Sequence, residues 1–211
     1  MKTYIFFAIS FLLIALISCS ENISTKELEN NFSRDEIVEL EKIITFYKTQ
    51  ISANNNSNFK AIYEKQLKEF SDKGKNANIY TLDFNLQEKL CNSLNPELFS
   101  EIWSEGGRVQ IINHSEYNTK IFYYNSSGKY LKFLADVGKY NTHIKEFLTV
   151  IENLSFGIDT TTWLEQTILM YPNEFDLNDP NIQLIISIHH LSQNDDNNRM
   201  KKMEMESKRR N

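Results

Sequence analysis

Cysteine, glycine and alanine are scarce in this chain: two Cys, six Gly and six Ala among 211 residues. The first cysteine, Cys19, closes an N-terminal hydrophobic run, which leaves Cys91 alone in the body of the chain and excludes an intramolecular disulfide there. Cys91 lies in "LQEKLCNSL" beside an apolar helical face and reads as a buried, inert thiol. The shortage of Gly and Ala goes with 24 Asn and an abundance of Ile, Lys, Phe and Tyr, residues with AT-rich codons, so an isolated Asn carries little functional weight. No internal repeat and no interior linker breaks the chain, which argues against a solenoid or a second domain. There is no HExxH, no paired-cysteine spacing, no phosphate loop, no dinucleotide fingerprint and no nucleophile elbow. Nothing in these patterns argues for an enzyme, a cofactor or a metal.

What is present begins at the N-terminus. After Lys2, Thr3 to Ser18 contains no charge, matching the basic and apolar regions of a secretory signal, and falls short of the roughly 20 apolar residues a membrane span needs. The run ends in "LISCS", Leu16 to Ser20, and Leu-x-Ser-Cys at this place resembles the lipobox of bacterial lipoproteins. The resemblance covers about the first 20 residues and implies cleavage before Cys19, diacylation of its thiol, of the palmitate type, and acylation of the new amino terminus. It makes residues 1–18 a signal peptide and the mature protein membrane-anchored by lipid, without a transmembrane helix. Ser20 stands where an aspartate would resemble an inner-membrane retention signal, which leaves outer-membrane delivery open: the expected location is the bacterial cell envelope, with the outer membrane or cell surface favoured over the inner membrane in a Gram-negative cell.

Removing residues 1–18 leaves 193, enough for one domain with a sizeable core. The mature chain's 22 Lys and Arg face 28 Asp and Glu. The imbalance is local: Glu146, Glu152, Asp159, Glu165, Glu174, Asp176, Asp179, Asp195 and Asp196 fall between positions 146 and 198, where there is no Lys or Arg. Arg199, Lys201, Lys202, Lys208, Arg209 and Arg210 then crowd the end. An acidic body repels a phosphate backbone, so nucleic acid is not an expected partner.

The apolar pattern is mainly helical. Residues 19–32 read as a lipidated cysteine and polar tether, 33–195 as an α-rich globular domain, and 196–211 as a basic polar tail, frayed or helical and exposed. Ser33 and Glu36 form a capping-box pattern ahead of Ile37, Leu40, Ile43, Ile44 and Tyr47. Further helices are marked by Phe59 to Phe70, by Asp83 with Leu86, Leu90 and Leu94, and by Asn95-Pro96 running to Gly106 and Gly107. "RVQIIN" and "KIFYYN" read as one small β-hairpin near 108–125. Helical spacing returns at 130–137, 142–153, 160–171 and from Asp179, the last with an apolar side so wide that it should be the most buried helix. The expected fold is a single helical domain of six or seven amphipathic helices with that hairpin.

Adjacent His189 and His190 point about 100° apart on a helix and do not easily share a metal ion; one buried imidazole and one at a boundary is the expected state. "DLNDPN" from Asp176 lacks the Gly and Glu of a calcium loop. The aromatics of "KIFYYNSSGKYLKF" are expected in the core rather than on a sugar. Glu97, Glu101 and Glu105 recur at i, i+4 and i+8 and are expected as an acidic stripe. Together with Glu165, Asp176 and Asp179 they are the candidate partner-binding residues. The expected function is a non-enzymatic envelope lipoprotein that binds a basic protein through an acidic surface, an immunity or inhibitor lipoprotein being one form of it. The alternative is an envelope hydrolase acting on cell-wall or glycan material.

Overall fold

The computed structural model describes residues 23–52, 58–73, 82–112, 115–153 and 162–210. Cys19 and the signal sequence lie outside them. Nine α-helices and one two-stranded antiparallel sheet are present among the described residues: α1 (Lys26–Asn31), α2 (Arg34–Ile51), α3 (Phe59–Lys73), α4 (Phe84–Ser93), α5 (Pro96–Ile102), β1 (Trp103–Ile112), β2 (Ser115–Tyr124), α6 (Lys129–Val137), α7 (Thr142–Asn153), α8 (Trp163–Met170) and α9 (Pro180–Arg210). The fold is mainly α with a small hairpin, as the periodicity predicts.

Local chemistry starts the helices where the sequence places them. Ser33 Oγ accepts from the Glu36 N–H at 3.3 Å while Glu36 Oε2 accepts from the Ser33 N–H at 2.7 Å, a closed capping box. Asp83 accepts from the Leu86 N–H, and Asn95 from the Glu97 N–H ahead of Pro96. Gly128 precedes α6 and has no cap of its own; a Cβ there would sit 2.2 Å from the Glu101 carbonyl oxygen. Glu101 supplies the missing cap from α5, accepting the Lys129 N–H at 2.8 Å.

The core is built around α9. Leu184 to Leu191 are buried on every side of this helix, as the width of its apolar pattern predicts. α2, α4 and the hairpin pack against its length. At 31 residues, α9 is about 46 Å long.

Three boundaries differ from the sequence reading. The tether is shorter: Ile23, Leu28 and Phe32 are core residues, Thr25 caps α1, and Phe32 packs on Phe133 with centroids 6.1 Å apart. Three apolar residues in thirteen are too few to show a period, yet each meets a core pocket. The fifth helix ends at Ile102, not at the glycines. Trp103 turns extended, buries its indole and donates from Nε1 to Ser192 Oγ at 2.9 Å, so β1 pairs from Trp103↔Tyr124 to Ile112↔Ser115 with Gly106 and Gly107 inside the strand. Finally, residues 196–210 are not a separate tail but the continuation of α9. Arg199 is bonded to Asp195 at 2.8 and 2.9 Å and lies over the Phe122 ring, while Met203 and Ser207 are buried.

Candidate functional site

The acidic stripe expected on one helix is divided between elements. Glu97 is exposed in the first turn of α5, Glu101 is half-buried as the cap of α6, and Glu105 belongs to β1, where it pairs with Lys120 across the hairpin at 3.2 Å. The cause is the early end of α5 at Ile102. These three carboxylates do not form a common face.

The acids of positions 146–198 are also dispersed by structural work. Asp195 is buried against Arg199, and Asp196 binds Arg108 at 2.8 Å. Asp179 accepts from the Asn181 N–H at the start of α9 and from the Tyr140 hydroxyl. Burial, then the neighbouring acids, raises its carboxyl above the ordinary range. Asp176 stays exposed and accepts from the Asn178 N–H. Asp159 lies outside the described residues.

Glu165 overturns its reading as a surface residue, because it is 0% exposed. It projects from α8 into the core, where Oε1 lies 3.2 Å from His190 Nε2 and 3.5 Å from His189 Nε2, both imidazoles being fully buried as well. Tyr47 stacks on His190 and Phe147 meets His189 edge-on. Burial alone would raise the Glu165 carboxyl, but His189 and then His190 pull it below its ordinary value. Burial brings His190 down to about 4. Neither histidine sits at a boundary, as one was expected to. The signal for this cluster was present in the sequence: two ionisable side chains in an otherwise apolar helix call for a buried counter-charge. The sequence held no means of naming Glu165. Among the described residues, the rings of Tyr47, Tyr63 and Phe147 pack against the two imidazoles.

The exposed chemistry lies elsewhere, where α8 ends and α6 turns into α7. Four of the nine large hydrophobic side chains exposed among the described residues lie on the two segments that meet here: Tyr140 (56%) ahead of α7, and Leu169, Met170 (64%) and Tyr171 at the end of α8. His143 joins the two segments. Its ring stacks on Tyr171 at 4.4 Å, with Nδ1 3.3 Å from Glu146 and Nε2 3.0 Å from Glu174. Asn141 donates to the Glu174 carbonyl at 2.9 Å, and Tyr140 shares its hydroxyl with Asn181 and Asp179. Exposed Glu146 and Glu174 therefore flank the ring of His143, and exposed Asp176 follows two residues after Glu174, with Lys139 and Lys145 as the nearest cations in sequence. Sequence reasoning missed the apolar half because Leu169 falls in the apolar spacing of a helix with Trp163, Leu164 and Ile168 before Pro172, and a lone Met170 carries no signal. They point to solvent instead, since Leu164, Glu165, Thr167 and Ile168 take the inward positions.

Among the described residues, no group of three His, Cys, Asp or Glu is arranged to hold a metal ion. No described helix is long and apolar enough to cross a membrane. No protein family, no curated protein and no solved structure matches the chain.

Proposed function

We propose that this protein is a lipid-anchored envelope lipoprotein whose domain binds another protein through the Tyr140, Leu169, Met170 and Tyr171 patch. The observation that carries the reading is the coincidence of exposed apolar side chains and exposed carboxylates on the two segments joined by His143. An apolar centre with a charged rim is the anatomy of a protein interface, and Tyr and Met are suited to its core. Glu146, Glu174 and Asp176 select a basic partner by steering and by complementary charge. The lipid at Cys19 confines the search for that partner to the envelope.

Affinity capture from native envelope and culture fluid tests this, using the mature protein beside Met170→Ala/Tyr171→Ala and Glu174→Gln/Asp176→Asn variants. The expected outcome is a basic protein retained by the wild type, lost with the apolar double variant and weakened by high salt or by the carboxylate variant. Retention that is equal in all three proteins would place the interface elsewhere. A turnover of glycan that follows Glu174 alone would favour the hydrolase reading.

A further inference from the structure

The last three turns of α9 carry a second surface of opposite charge. At about 100° per residue, Lys208, Lys201, Met205, Arg209 and Lys202 fall within about 120° of one another, centred on Met205. Glu204 and Glu206 lie at the two margins of that sector, and Met203 and Ser207 point the other way. Burial agrees with the geometry: Met203 and Ser207 are covered, whereas Met205 and the four cations are exposed. The ion pairs of α9 among the described residues end with Asp195–Arg199 and Arg108–Asp196, so the cations beyond them are not neutralised by the acidic body.

We infer that this Met-centred basic face binds the anionic phospholipid headgroups of a bilayer and lays the distal end of α9 on the membrane. Long basic side chains around one apolar side chain suit a headgroup layer, into which the thioether sinks while the cations stay at phosphate level. The face is carried by a helix already fixed by the core, so docking orders no new segment. Chain length favours the same occupant. Only three residues separate Cys19 from core residue Ile23, four steps of chain with a reach of at most about 14 Å. Thr25 binds Asn181 at 2.6 Å, which puts the first described residues of the chain at the start of α9. Met205 lies 24 residues farther along, about 36 Å by helical rise. An anchor at Cys19 thus holds one end of α9 at the headgroups and leaves the basic end over the same leaflet. For this proximity the proposal rests on the lipid-anchor reading; the charge of the face is independent of it.

The test uses the mature protein from native membranes with Met205→Cys bearing an environment-sensitive dye. Burial and the Asp195 charge push the Cys91 thiol up to about 12, so labelling favours position 205. The protein is placed on vesicles of neutral phosphatidylcholine and on vesicles of phosphatidylcholine mixed with phosphatidylglycerol. A dye response on the anionic vesicles only, reversed by salt, is the expected result. Each cation near an anionic surface is worth roughly fivefold, so Lys201→Gln/Lys208→Gln lowers the docked-to-free ratio roughly 10- to 30-fold, and Glu204→Gln raises it. An identical dye signal on both vesicles, or one indifferent to these substitutions, overturns the proposal. Retention on neutral vesicles reports the anchor separately. Protein that washes off them while its dye still responds to anionic vesicles overturns the anchor and supports the face; protein held on both with a silent dye does the reverse.

Discussion

Two buried side chains on α9 set opposing pH dependences. The folded state holds His190 at about 4 against an ordinary 6.5, because burial disfavours its cation. The unfolded chain therefore binds a proton that the native state refuses, and His190 makes stability fall as pH drops from about 6.5 to about 4, by about 3 kcal/mol. Asp195 is raised to about 6 from 3.8, chiefly by burial and in spite of Arg199. There the native state keeps a proton the unfolded chain has lost, so stability falls as pH rises from about 4 to about 6, by a similar amount. The wild type is expected to show a nearly flat profile across that window. Denaturant unfolding at the two ends should separate the contributions: Asp195→Asn unmasks stability that climbs with pH, and His190→Phe unmasks stability that declines with it. Variants that both keep the flat profile would show that neither group titrates as its burial requires. Glu165, depressed by its imidazoles, begins to lose its contribution only as pH falls through its ordinary 4.5, at the acid edge of the window.

At the scale of elements, the distal end of α9 is expected to contribute to stability. Met203 is buried, so Met203→Ala should cost about 2–4 kcal/mol in denaturant unfolding, whereas Met205→Ala, two residues on and exposed, should change little. Equal small effects would mean that the end of the helix is not packed. This contrast also shows how far elements were legible. Ser33 with Glu36, Asp83, and Asn95 with Pro96 announce their helices because each cap is a contact within four residues. Trp103 was misread because its extended state goes with strand pairing to Tyr124 and an indole bond to Ser192, 89 residues away, and not with its neighbours in sequence. Residues 23–32 and 196–210 looked polar because their few apolar side chains show no period. Leu28, Phe32 and Met203 are nonetheless buried by surfaces that exist only in the fold. Glu165 is the same case at a site: its charge was visible, its orientation was set by two histidines on another helix.

The whole molecule is polar along its longest helix in a way composition conceals. Near the start of α9 lie Tyr140, Asp176, Asp179 and Thr25; about 36 Å away along the helix lie Met205 and its four cations. A net charge of -5 over the full chain reports only the remainder of these two surfaces. The basic end does not fold back on the acidic residues, since α9 runs unbroken between them. A partner drawn to the carboxylate rim and a bilayer drawn to the basic face can thus be engaged together by one rigid element. The most direct measurement is photo-crosslinking in the native envelope, with a photoreactive side chain at position 170 and, as a control, at exposed Val38 on α2. The account predicts a discrete adduct with a basic protein from position 170 and none from position 38; no adduct at 170, or the same adducts from both, would contradict it.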